Sequence, residues 1–162
     1  WSGQLAGGSP NNEAFINNPQ FLLTFEPKSS SDQPSSSSTS TSPSHPFVLN
    51  LVQRKTKKSK EDLAPIGMTL FKTPNPNNLQ QLISLTELTP ENVVTQTEGW
   101  APQKTVTVMG MITGKTSFIV IPSTFKPGMI HKFTLTAYSD CNVSINCITK
   151  MEDEVEGGDE QK

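Results

Sequence analysis

Two cysteines and two histidines are the residues of this chain that could form a nucleophile with its base, or hold a soft metal. A thiol protease needs a thiolate and an imidazole in contact, commonly oriented by an amide or carboxylate. Cys141 and Cys147 stand six residues apart, His45 sits inside a Ser/Pro-rich stretch, and His131 opens a strand-like run. Neither histidine shares a motif with either cysteine, so the chain reads as non-catalytic by itself. The four residues also lack any standard zinc spacing. Cys147 falls on the apolar phase of Val143 and Ile145 and is expected to be buried, with Cys141 in the preceding turn. Both are expected to be free thiols, as in a cytosolic protein. Asn142-Val143-Ser144 matches a glycosylation acceptor, a pattern short enough to recur by chance.

The charged residues offer more. Arg54, Lys55, Lys57, Lys58 and Lys60 form one dense basic run between two strand-like segments. It can face an anionic membrane, each cation contributing about 1 kcal/mol near anionic lipid. It can equally meet an acidic face of a neighbouring domain, or stay solvated and keep a strand edge from pairing. Glu152, Asp153, Glu154 and Glu156 are the corresponding acidic cluster. Calcium takes about six to eight oxygen ligands, usually from converging carboxylates. These four are therefore the candidate calcium ligands, with a solvated acidic tail as the alternative. No other cofactor is indicated, because the remaining carboxylates are scattered through loops. A net charge of -2 argues against a dedicated nucleic-acid binder. No apolar run approaches a membrane span and no signal-like segment opens the chain. It begins at Trp1 rather than Met, and so reads as a piece of something larger.

These residues hang on a pattern of short strands. Phe118 to Ile121 is apolar on both faces, as a central strand would be. Phe133, Leu135 and Ala137 alternate with Thr134, Thr136 and Tyr138, one face buried and one wet. Pro122, Pro127 and Gly128 mark the corner between the two strands. Phe118, Val120, Phe133 and Leu135 are expected core. Earlier in the chain, strands are read over Gln20–Phe25, Pro46–Gln53 and Pro65–Lys72, and later over Thr105–Met111 and Val143–Thr149. Leu79–Leu88 is a weak strand or a covering loop, and Thr89–Gln103 is connection with Trp100 over a core edge. The reading is all-β, an antiparallel β-sandwich of seven or eight strands with no helix. One domain spans residues 1–150, and 151–162 form an acidic tail or linker. Ser29–Ser44 is almost wholly Ser, Thr and Pro and is expected to be a disordered insertion.

Four separated stretches, in order, resemble the C2-like β-sandwich domain of calpains, calcium-dependent cysteine proteases in which this domain follows the catalytic core. The first is the entry: Trp1, Gly3, Ala6-Gly7-Gly8, Phe15 and Asn18-Pro19. The family usually has a cysteine after the two glycines, where this chain has Ser9. Next come a strand ending in Gln53, the basic run, and Ile66-Gly67 opening another strand. The last are Ile121 to Gly128, IPSTFKPG, and a strand ending Tyr138-Ser139-Asp140. The resemblance implies a regulatory, non-catalytic module of a calpain-type protease, whose catalytic Cys, His and Asn lie in a core absent here. Implied partners are that core in cis and anionic membrane lipid, with calcium as signal and a cytoplasmic location. A stand-alone interaction or adhesion sandwich with no protease attached is the alternative. The acidic loop of the related domain has only Asp32 here, so a calcium role for that loop does not carry over.

Overall fold

The structure, a computed structural model, describes residues 3–28, 43–54 and 63–149. Among these residues eight strands run β1 Phe21–Glu26, β2 Ser44–Arg54, β3 Ile66–Lys72, β4 Val93–Gln96, β5 Thr105–Thr113, β6 Thr116–Thr124, β7 Lys132–Ser139 and β8 Asn142–Cys147. They form two antiparallel sheets, one ordered β4-β3-β6-β1-β8 and the other β5-β2-β7. Helical structure among the described residues is confined to short 3-10 turns. No helix there is long and apolar enough to cross a membrane. The chain is a β-sandwich, as its alternation implies.

Alternate residues of each strand meet between the sheets. Leu23, Phe25, Ile66, Met68, Leu70, Phe118 and Val120 face Phe47, Leu49, Leu51, Val106 and Val108 there, all buried. The five-stranded sheet is covered on its other face too, because Leu22, Phe71, Ile119 and Ile121 pack against Phe15 and Ile83. Apolar residues on both faces are what make Phe118–Ile121 of β6 an unbroken apolar run rather than an alternating one. The cover comes from the entry segment and from residues 79–88, a loop with one 3-10 turn at Leu85–Glu87 rather than a strand.

Several expectations shift. Pro122 does not end its strand, for β6 continues through it to Thr124. The ladder of β6 with β1 stops at Val120 opposite Phe21, so the missing N–H falls beyond that ladder. Thr89–Gln103 contains β4, a four-residue edge strand on β3. Trp100 is half-buried, lies against the bare backbone of Gly67, and tilts onto Phe125 with centroids 5.7 Å apart. Phe133 and Leu135 keep their inward phase but are only partly buried on the edge strand β7. The two cysteines exchange roles. Cys141 is 6% exposed at the core margin, whereas Cys147 is exposed near the end of the edge strand β8, where phase alone does not supply a covering layer. Ser44 opens β2, and residues 29–42 of the Ser/Pro-rich expectation lie outside the described residues.

The entry motif has a physical basis. A Cβ on Gly7 would sit 1.9 Å from the Ala14 carbonyl oxygen, and Gly8 has φ 79, a left-handed conformation that favours glycine. Ser9 is buried, and its hydroxyl oxygen accepts from Asn12 Nδ2 at 3.1 Å. A thiol would accept that amide less well, which gives the departure from the family pattern a local reason.

Candidate functional site

The outer face of the three-stranded sheet is built from the residues that alternate with its core. On β2 these are Pro46, Val48, Asn50, Val52 and Arg54, with Met111, Met109 and Thr107 from β5 and Tyr138, Thr136 and Thr134 from β7. Antiparallel register lays them out as rows across the sheet. Met109, Val48 and Tyr138 form one row, and Met111 beside Pro46 forms the next. Met109 is 71% exposed, Met111 61% and Tyr138 57%, so this end of the face is apolar and open to solvent. A polar row follows, in which Thr107 Oγ1 donates to Asn50 Oδ1 at 2.8 Å. The far end is cationic: Arg54 pairs in register with Lys132, both exposed, and Arg54 Nε donates to Thr134 Oγ1 at 2.8 Å. The face therefore grades from methionine and tyrosine to arginine and lysine along the rows centred on Pro46, Val48, Asn50, Val52 and Arg54.

Arg54 is where β2 hands over to the basic run. Lys55, Lys57, Lys58 and Lys60 lie outside the described residues, as do the candidate calcium ligands Glu152, Asp153, Glu154 and Glu156. The ends of the basic segment are nonetheless fixed. Gln53, 3% exposed, donates from Nε2 to the carbonyls of Ala64 and Gln103, and its Oε1 accepts from the Ala64 N–H. One buried amide thus pins residues 53 and 64 together.

A second constellation stands at the opposite end of β2. His45 Nδ1 lies 3.0 Å from Asp140 Oδ1, and Cys141 Sγ lies 3.6 Å from the same oxygen. The donor atoms of the three residues fall within 4.8 Å of one another. The hydrogen bond from His45 keeps the Asp140 carboxyl below the usual carboxylate range, with desolvation acting in the opposite direction. Ser139 Oγ donates to the Pro46 carbonyl at 2.7 Å and accepts from the Cys141 N–H, tying the end of β7 to β2. The cluster brings His45 near Cys141 although the two share no motif along the chain. It is still the wrong arrangement for a thiol protease. The carboxylate lies between imidazole and thiol, whereas the catalytic order puts the imidazole between the other two.

The cluster had a readable signal. Phe47 faces Ser139 in the β2–β7 ladder, and continuing that antiparallel count by two residues sets His45 opposite Cys141. Spacing along the chain hides this, because 95 residues separate His45 from Asp140.

The chain matches the family described as calpain large subunit, domain III, over residues 1–138. It is 31% identical over 135 residues to serine/threonine-protein kinase 4 homolog B of Dictyostelium discoideum, covering 83% of this chain and 10% of that protein. Calpain-like cysteine protease A of the same organism is 29% identical over 162 residues, covering 99% of this chain and 21% of the protease. The calpain-2 catalytic subunit of Gallus gallus is 27% identical over 169 residues, covering 98% of this chain and 22% of that subunit. The chain thus spans 10% to 22% of the length of these relatives.

Proposed function

The chain belongs to the calpain large subunit, domain III family, a non-catalytic domain of calpains, and from that premise we propose that it regulates a calpain-type cysteine protease by docking. The docking surface is the outer face of β5, β2 and β7 together with the basic segment at its cationic end. The observation that carries this is the grading of one exposed face from Met109, Met111 and Tyr138 to Arg54 and Lys132. Single exposed apolar side chains are ordinary, but several in adjacent rows of one sheet mark a contact surface. The proposed partners are the protease core in cis and the anionic leaflet of a membrane, reached from the cytoplasm. Lys55, Lys57, Lys58 and Lys60 supply the charge. Calcium acts through Glu152, Asp153, Glu154 and Glu156, whose binding would weaken their attraction for that basic segment.

The lipid arm has a direct test. The chain is expected to sediment with phosphatidylserine liposomes at low salt and to release at high salt, because the Debye length shortens from roughly 10 Å at 0.1 M to 3 Å at 1 M. Replacing Lys55, Lys57 and Lys58 together by Gln should abolish the salt-sensitive fraction. Wild-type indifference to anionic liposomes at low salt would remove the lipid arm and leave the protease core as the sole partner. That arm is read in the full-length enzyme, where the same triple change should shift the calcium requirement for proteolysis.

A second reading is favoured by one comparison. A protein named as a serine/threonine kinase carries a stretch 31% identical to 83% of this chain, so the sandwich is not confined to proteins named as proteases. On that reading the chain is an interaction module with no protease attached. The coding sequence on either side decides between them. A papain-like core upstream supports the first reading, and its absence the second.

A further inference from the structure

We propose that His45, Asp140 and Cys141 form a binding site for a borderline-soft divalent cation, zinc above all, at the end of the sandwich where β2 begins and β7 ends. The inference goes beyond the docking role and does not depend on it. Three features of the cluster carry it. The donor set is imidazole, carboxylate and thiol, the three side-chain types that zinc takes, and their donor atoms already lie within 4.8 Å of one another. Ligands around a tetrahedral ion at about 2.0–2.3 Å stand roughly 3.3–3.8 Å apart, so the 3.0 and 3.6 Å separations from Asp140 need only small adjustments, and the His45 and Cys141 donor atoms, within 4.8 Å, need draw together by at most about 1.5 Å. The charges also match, for one thiolate and one carboxylate balance a divalent ion and leave imidazole neutral.

The placement agrees with this chemistry. Cys141 sits at the margin of the core and is 6% exposed, so its sulfur is fixed by packing against apolar neighbours. Ser139 holds the turn by bonding across to β2, which positions residues 140 and 141 relative to His45. The Asp140 side chain is 59% exposed, leaving a solvent side for a fourth ligand, water. The His45 side chain is 17% exposed, and its Nδ1 faces Asp140. In the metal-free pair Nδ1 carries the ring proton toward Asp140. When the ion binds Nδ1, that proton moves to Nε2, the Cys141 sulfur loses its proton to solvent, and one proton is released per ion. Calcium and magnesium prefer all-oxygen sites, so the cluster separates them from zinc.

The test uses the 162-residue chain, freshly reduced and freed of metal. Calorimetric titration with zinc is expected to show one site per chain, with release of about one proton seen as a buffer-dependent heat. Cobalt should give a thiolate-to-metal absorption band in the wild type and in Cys147→Ser, but none in Cys141→Ser. Asp140→Asn, at an exposed position that leaves the fold intact, should lower zinc affinity at least about tenfold. His45→Gln should do likewise, with thermal melting of each metal-free variant as the check on folding. Calcium at the same concentration should leave the cobalt band unchanged. Absence of one-to-one zinc binding, or binding that survives both Cys141→Ser and Asp140→Asn, would overturn the proposal, the latter pointing to the acidic C-terminal residues.

Discussion

Replacing Phe25 by alanine is expected to lower stability by about 3–5 kcal/mol, the upper range for aromatic truncation in a packed core. Phe25 is wholly buried near the centre of the sandwich. Its ring meets Phe47 from the opposite sheet at 5.2 Å between centroids and Phe118 of the adjacent strand at 6.2 Å, while Phe47 and Phe118 stand 6.0 Å apart. The three rings form a closed triangle across both sheets, so removing one costs its transfer term, its edge contacts and a cavity that rigid β-strands cannot close. Chemical denaturation with CD detection measures this, and the melting temperature should fall by roughly 10 °C. Phe133→Ala supplies the contrast. Its ring contacts Phe21 at 5.9 Å, but β7 is an edge strand and the side chain is only partly buried. It should therefore cost less than Phe25→Ala. Equal losses at the two positions would mean that the triangle is not the centre of the core.

The difference between those two phenylalanines also marks how far the sequence could be read. Alternation gave the inward phase of both, and of Leu49, Leu51, Val106 and Val108, because a period of two follows from the pleat alone. It could not rank them, since burial depends on which strands lie outermost, and strand order is a long-range property. The same limit explains Cys147, in phase with Val143 and Ile145 yet exposed on an edge. β4 escaped notice because Val93–Gln96 is short and follows a proline-led 3-10 turn, so its strand state comes from pairing with β3 rather than from its own pattern. Of the sites, the basic segment is visible as a charge run. The exposed row of Met109, Val48 and Tyr138 is not, because three separate strands contribute one residue each. The cluster of His45, Asp140 and Cys141 is hidden by distance along the chain, since only the pairing of β2 with β7 brings residue 45 to residues 140 and 141.

Asn18→Leu is the second large expected loss, about 3 kcal/mol or more, and it arises from polar groups rather than from a cavity. Asn18 is wholly buried. Its Oδ1 accepts from the Gly7 N–H at 3.1 Å, and its Nδ2 donates to the carbonyls of Gly8 and Phe15, each at 2.8 Å. One side chain thus satisfies three backbone groups of the entry segment. Leucine keeps the branched shape but is bulkier and offers no hydrogen bond, so it leaves the Gly7 N–H and the Gly8 carbonyl without this partner and the Phe15 carbonyl with the backbone N–H of residue 18 alone, at about 1–3 kcal/mol for each group that stays buried and unpaired. The loss should spread to the outer core, because the clamped segment carries Phe15, itself wholly buried and packed on Phe71 at 6.3 Å. Asn18→Asp separates the two accounts of the position. It preserves size and the acceptor for Gly7 but sets a second acceptor against two carbonyl oxygens. If hydrogen bonding is what holds the entry segment to the sheet, the aspartate variant should melt well below wild type at neutral pH despite its near-identical shape. Should it match wild type while leucine does not, shape and the single Gly7 bond would be the whole of the role. If both variants match wild type, the entry segment does not stabilise the sandwich through Asn18. On the expected result, amide exchange should accelerate first at Gly7 and at Asn18, whose own N–H donates to the Phe15 carbonyl at 3.1 Å, before the strands of the inner core respond.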